Sequence, residues 1–271
     1  MSKSGNVADI YNLFQDKILR AAVAKKLGVA AALTGQPLME ALAQITQLDL
    51  GRKTLHAEQI KDSGGLEYLT GLTKLNIGDH YLYHLNIDKL TNLTQLLAYW
   101  NYPEELDLSK LTNLTELDLG DCDLSLLESL DVTGLAKLTK LNLISCGLFN
   151  NLNIEGLTNL AEVDVSLNSF VSLDISTLIG LKSFDGFVCK LTALKVGQLP
   201  HLTGLNLTCN ELTHIDVSGC PNLTKLYLNG NNLSRLDISH NPLLEELWLD
   251  KKTTIRGREN CPKVIIKHDK N

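Results

Sequence analysis

The residues best placed by type and spacing to do chemistry are a series of acids and amides: Asp49, Asn76, Asp118, Asn142, Asp164, Asp185 and Asn206. The last three fall 21 residues apart, so a chain that repeats with that period sets them side by side on neighbouring strands. Paired carboxylates can chelate calcium or divide the roles of general acid and base. The preferred expectation is plainer: such a column hydrates an exposed sheet. The seven histidines are scattered, and no His-Glu-x-x-His, Gly-x-Ser-x-Gly, phosphate-loop or dinucleotide motif occurs. No catalytic residue, metal ligand or cofactor is therefore expected.

The elements that position these side chains are set by an internal repeat. The template L-x-x-L-x-L-x-x-N-x-L begins at Ile45, Leu72, Leu93, Leu114, Leu138, Leu160, Leu181, Leu202, Leu223 and Leu244. Apolar residues at positions four and six alternate with polar ones, which is the strand period of two. One repeat cannot bury its own apolar side, so repeats stack. Asn at position nine offers its amide to backbone groups that would otherwise be buried unpaired. The remainder of each repeat, as in Leu233-Ser-Arg-Leu236-Asp237-Ile238-Ser239, is too short for a full helix, so short extended or 3₁₀ segments are expected there. Pro200, Pro221 and Pro242 are expected two residues before the next strand, where a missing N–H matters little. The longer steps mark a loop at Lys61-Asp62-Ser63-Gly64-Gly65 and added residues around Leu126-Leu127-Glu128. The fold class is an α/β solenoid, mainly parallel β, of about ten 21-residue leucine-rich repeats.

Residues 1–44 break the pattern. Ile10, Phe14, Ile18, Ala21 and Ala22 follow helical spacing, Asp16 opens the main helix, Leu27-Gly28 closes it, and a second helical turn runs from Pro37 to Leu42. A helical cap over the first repeat is preferred to a separate module. The array then spans residues 45–257. Residues 258–271 form a C-terminal capping strand, Val264-Ile265-Ile266, and a polar tail.

The net charge of −6 disfavours a nucleic-acid or anionic-membrane partner. No apolar run is long enough to cross a membrane, and Met1-Ser2-Lys3-Ser4-Gly5 lacks the apolar stretch of a secretory leader. Cys122, Cys146 and Cys189 stand at the inward ninth position, where a thiol fills a small apolar slot. Cys122 and Cys146 are neighbours in the repeat order, but a bridge between in-register strands would be strained. Cys209, just before Asn210, is expected to be accessible, and all six thiols to be free. His80 is expected to replace Asn structurally at position nine, and His84, His201, His214 and His240 to be solvated.

Positions two, three, five, seven and eight point outward and line the expected concave face. On it fall Leu97, Tyr99 and Trp100, then Phe187 and Val188, then Tyr227 and Trp248, with Ile144 and Leu167 adding apolar surface. Large apolar side chains facing water mark partner contact, and Trp and Tyr are favoured at binding hot spots. Trp248 has a second reading, as a residue packed by the C-terminal cap.

The segment Gly65-Leu66-Glu67-Tyr68-Leu69-Thr70-Gly71-Leu72-Thr73-Lys74-Leu75 after a helical cap resembles the start of a bacterial internalin-type repeat domain. The later Leu-Asp-Val/Ile-Ser and Asn-Pro or Cys-Pro motifs, with Cys in ladder slots, are similar to the 21-residue subgroup typified by internalin J. The resemblance implies a secreted or cell-surface bacterial protein that binds a host protein or glycan in adhesion or virulence, with no enzymatic activity. A monomer is expected. The alternatives are a cytoplasmic or injected repeat protein that modulates another protein, and a structural spacer.

Overall fold

The computed structural model describes residues 9–268 apart from 53, 55, 56, 126, 128, 129 and 149–151, and leaves the side chains of residues 29 and 31 undescribed. The chain forms two compact units, Met1–Leu127 and Glu128–Asn271. Most of the added residues expected around 126–128 lie outside the described part.

The first unit opens with three helices. Asp9 caps α1 (Ile10–Leu13) by accepting the Asn12 N–H. Asp16 caps α2 (Lys17–Leu27) by accepting the N–H groups of Ile18 and Leu19. Gly28, at φ 59, ends α2. The main helix thus opens at Asp16 and closes at Leu27-Gly28 as expected, while the helical spacing from Ile10 to Ala22 is interrupted before it. The chain is extended at Phe14, because the Asp16 side chain takes the amides that a continuous helix would use. The buried set becomes Ile10, Phe14, Leu19 and Val23, while Ala21 is exposed. α3 (Gly35–Leu42) starts two residues before Pro37, which the first turn tolerates because its amides have no partner within the helix.

Four parallel strands follow in this unit: β1 (Gln47–Asp49), β2 (Lys74–Asn76), β3 (Gln95–Leu97) and β4 (Glu116–Asp118), paired in chain order. The second unit contains β5 (Lys140–Asn142), β6 (Glu162–Asp164), β7 (Ser172–Asp174), β8 (Ser183–Asp185), β9 (Ala193–Lys195), β10 (Gly204–Asn206), β11 (Lys225–Tyr227), β12 (Arg235–Asp237), β13 (Glu246–Trp248), β14 (Thr254–Arg256) and β15 (Ile265–Lys267). Its main sheet runs β5-β6-β8-β10-β11-β13-β15, all parallel. Two small sheets, β7-β9 and β12-β14, form from the second halves of repeats. Both units are thus leucine-rich-repeat solenoid, with leucines such as Leu223, Leu226 and Leu228 wholly buried. The prolines lie four residues before their strands, not two, because each strand begins only at position three.

The Leu-Asp-x-Ser motif has a local cause. Each Asp accepts the N–H two residues on, as in Asp107–Ser109, Asp216–Ser218 and Asp237–Ser239, which turns the chain, and Asp123 does the same for Ser125 after the ladder residue Cys122. Asp107, Asp123, Asp131, Asp216 and Asp237 are all held below the ordinary carboxylate value by the hydroxyl or amide of the following Ser or Thr. Asp174, bonded first by Lys195 and then by Ser176, lies at about 2. Groups depressed by folding lend stability above their unfolded value and lose it as pH falls through the folded one. Urea midpoints are therefore expected to drop below pH 3.8, and an Asp174→Asn/Asp237→Asn variant to show a shallower drop. An unchanged slope in the variant would remove these turns as the cause.

The ninth-position ladder is the main polar device in the core. Asn168 and Asn210 each accept two amides of the preceding repeat and donate to three carbonyls. Cys122 and Cys189 keep only the donating half, with Sγ 3.1 Å from Ala98 O and Val165 O respectively. The sequence compensates at one of them. Asn101 Oδ1 accepts the N–H of Leu82, at position eleven of the repeat before it. The residue at position eleven before Cys122 is the buried Pro103, which has no N–H to satisfy. All six thiols are free and only Cys209 is exposed. Burial pushes Cys122 up to about 12 and Cys189 and Cys220 to about 11, so they stay protonated.

Candidate recognition surface

Position five explains the acid and amide column. Asn76, Asp118, Asn142, Asp164, Asp185 and Asn206 each accept the N–H two residues ahead, at 2.9–3.1 Å, and so close the turn that leaves the strand. Asn76 also donates to Asp49, and Asn206 to Asp185, across the sheet. The column is scaffold. Among the described residues, no group of three or more His, Cys, Asp or Glu side chains could hold a metal.

Against this scaffold, three repeats depart. Leu97, Tyr227 and Trp248 occupy position five and lack the carboxylate or amide oxygen that closes the turn in the other repeats. Position eight departs in another way. It is left-handed in successive repeats: Asp79, Trp100, Asp121, Ser145, Leu167, Val188 and Cys209 have φ between 53 and 63°, and Gly230 has φ 72°. Asp and Gly suit that conformation. Trp, Leu and especially β-branched Val are strained in it by about 1–2 kcal/mol. Trp100 and Leu167 remain exposed, at 44% and 45%, so burial does not account for their presence. Val188→Asn is accordingly expected to raise stability by about 1 kcal/mol. Thermal unfolding checks this, and a lower midpoint would show that Val188 gives more by packing than it loses by strain.

The structure gathers the sequence-expected residues into separate places. In the first unit, Tyr99 lies flat on Gly78, where a Cβ would fall 2.4 Å from its Cζ. Trp100 follows it, and half-buried Leu97 precedes it on β3. Three tyrosines that sequence reasoning passed over join them. Tyr81 and Tyr102 stack at 5.4 Å, and Tyr83, 55% exposed, leans on Tyr102 at 6.2 Å. Their signal was available: Tyr81 and Tyr102 are 21 residues apart, at position ten of adjacent repeats, just beyond the positions taken as outward. In the second unit, half-buried Phe187 and Val188 stand beside exposed Leu167, whose N–H donates to the Phe187 carbonyl.

Tyr227 and Trp248 pair in register on β11 and β13. Both donate to the Glu246 carboxylate, Tyr227 Oη at 3.0 Å and Trp248 Nε1 at 2.9 Å. Lys267 of β15 binds the same carboxylate and sits 5.3 Å from the Trp248 ring centre. Lys267 first, then Trp248 and Tyr227, bring Glu246 down to about 2. The terminal strand thus packs Trp248, as its second reading held, while leaving it half-buried. His80 fills its ladder slot, and His84, His201, His214 and His240 are exposed.

The leucine-rich-repeat family model matches residues 194–233. No curated protein sequence matches the chain. Among solved structures, the chain is similar to the functional domain of InlJ from Listeria monocytogenes, a domain that includes a cysteine ladder. That match has 27% identity and a TM-score of 0.69 and covers 97% of this chain and 64% of the other. It is also similar to the internalin InlF of Listeria monocytogenes, at 21% identity and TM-score 0.56 over 100% and 99% of the two chains. A leucine-rich-repeat protein of Leptospira interrogans matches at 21% and TM-score 0.66, over 90% and 76%. The chain is a leucine-rich-repeat protein. Its repeat array is similar to that of the internalins, and Cys122, Cys146 and Cys189 stand at the ninth position of their repeats. The chain spans 64% of the InlJ domain it resembles. No helix among the described residues is long and apolar enough to cross a membrane.

Proposed function

We propose that this chain is a non-enzymatic recognition module of a bacterial surface or secreted protein, which binds a host protein or glycan through its strand-lined face. The protomer acts as a monomer, and adhesion or virulence is the setting that an internalin-type array supports. One observation carries the reading. Tyr227, Trp248 and Leu97 replace turn-closing side chains, and Trp100, Leu167 and Val188 replace residues suited to a left-handed backbone. These substitutions weaken the scaffold where they stand, so they need another return. Partner contact by large aromatic and apolar side chains supplies it. The binding residues proposed are Leu97, Tyr99 and Trp100 in the first unit and Phe187, Val188, Tyr227 and Trp248 in the second.

A pull-down from mammalian cell-surface extract and from mucin tests this, using wild type beside a Tyr99→Ala/Trp100→Ala variant whose circular dichroism matches it. A partner held by wild type and lost by the variant is the expected result. Equal retention would place the contact elsewhere. Retention of nothing by either would favour a spacer.

A further inference from the structure

We infer that the aromatic cluster of the first unit takes a cationic polypeptide segment, with arginine side chains laid against Tyr and Trp rings and held by carboxylates at the cluster's edge. This rests on the proposed recognition role and names the chemistry of the partner.

Register carries the argument. β3 and β4 pair in register, and the bonding continues past them: Trp100 N–H donates to Gly120 O, and Asp123 N–H to Asn101 O. Each outward column therefore runs straight from repeat to repeat. At position eight the order is Asp79, Trp100, Asp121. At position ten it is Tyr81, Tyr102, Asp123. At position twelve Tyr83 is followed by Glu104, whose N–H donates to the Tyr83 carbonyl. Each of these three columns thus ends on a carboxylate one repeat away, about 4.8 Å at strand spacing, whereas the Tyr99 column at position seven ends on Gly120. Asp123 is close enough to Tyr102 to raise that phenol further, after burial and Tyr81.

The carboxylates are available. Asp79 is bound to Arg52 at 3.2 Å, and Asp88 to Lys110 at 3.8 Å. Among the described residues, Glu104, Asp121 and Asp123 have no Lys or Arg within ion-pair distance. The segment from Lys74 to Leu127 holds nine acidic and three basic residues, a balance of −6 that equals the charge of the entire chain. An aromatic patch alone would suit a sugar ring or an apolar peptide. Rings flanked in register by carboxylates that no Lys or Arg neutralises suit a guanidinium, which stacks on a π-face while its N–H fork meets a carboxylate. A negative field also draws a basic partner in and repels an acidic one.

The test is calorimetric titration of the full chain with an arginine-rich peptide, a lysine-rich peptide of equal length, a glutamate-rich peptide and a neutral oligosaccharide. The arginine peptide is expected to bind, the lysine peptide more weakly, and the other two not at all. Affinity should fall as salt rises from about 50 to about 500 mM. Trp100→Asn keeps a side chain that tolerates the left-handed backbone, so it removes the ring without unfolding the repeat. It and Asp121→Asn/Asp123→Asn are each expected to weaken arginine-peptide binding about tenfold. Arginine-peptide binding that neither variant changes, or oligosaccharide binding that Trp100→Asn abolishes, would overturn the inference. If the pull-down partner still depends on Tyr99 and Trp100 while the arginine peptide fails to bind, the recognition role stands and only its cationic chemistry falls.

Discussion

Asn210→Ala is expected to destabilise the second unit by about 3–5 kcal/mol, among the largest effects of any single change away from the leucine core. The Asn210 amide accepts the N–H groups of Cys189 and Leu191 and donates to the carbonyls of Gly186, Leu207 and Thr208, all at 2.8–3.4 Å. The side chain is buried, so alanine leaves two donors and several acceptors without water to replace it. Asn210→Cys should lose less, because a thiol can still donate to a carbonyl of the preceding repeat, as Cys189 does to Val165 O. Asn222→Ala is the control. Asn222 also bonds across repeats, to Pro200 O at 2.8 Å, but it is exposed, and water can take its place. Urea unfolding of the three variants should rank them alanine at 210, cysteine at 210, alanine at 222, from least to most stable. Equal stability of Asn210→Ala and Asn222→Ala would remove the ladder from the account.

The second large effect is a pH dependence centred on His80. This ring spans a lengthened repeat. Its Nδ1 accepts the Ile60 N–H at 3.1 Å, and its Nε2 meets Leu50 O at 2.8 Å. Geometry thereby assigns a neutral ring with its proton on Nε2, since a second proton on Nδ1 would face the Ile60 N–H. Burial first, and Arg52 as the lesser cause, lower its pKa below 6.5, against raising contributions from Leu50 O, Asp79 and Asp16. The unfolded chain then binds a proton that the folded one refuses. Stability is full above pH 6.5 and is lost as pH falls from there towards the folded value, by up to about 1.4 kcal/mol per pH unit. The same segment is tied to the helical region, because Asp16 caps α2 with one oxygen and accepts the Lys61 N–H with the other. Loosening should therefore begin at Leu50, Ile60 and Lys61 and reach α2. His80→Asn is expected to flatten the slope below pH 6.5 whether or not it lowers stability overall. Hydrogen exchange at Ile60 and Lys61 against pH gives the local readout. An identical slope in wild type and variant would assign the effect to another histidine.

The repeat was legible because each of its positions answers to one physical demand. Leu at four and six announces a strand, and Asn at nine announces buried backbone groups in need of partners. The N-terminal helices were legible only in outline. Ile10, Phe14 and Ile18 keep helical spacing by chance across a break, and the break depends on which amides Asp16 captures, a choice that spacing does not encode. The site was half legible. Tyr99 and Trp100 stood out as misfits against the repeat, but Tyr81, Tyr83 and Tyr102 sit where the backbone curls back after its left-handed residue. An alternation rule ends at the strand and does not follow that curl. Likewise the roles of Asp164 and Asp185 became plain only when their oxygens were found closing turns.

The central claim is that the strand-lined face meets the partner. A photo-crosslinking side chain placed at Trp100, and separately at Lys195 on the small β7-β9 sheet, tests it in cell-surface extract. The expected result is an adduct from position 100 that excess unlabelled protein abolishes, and none from position 195. An adduct from 195 with none from 100 would contradict the claim and move recognition to the small β7-β9 sheet.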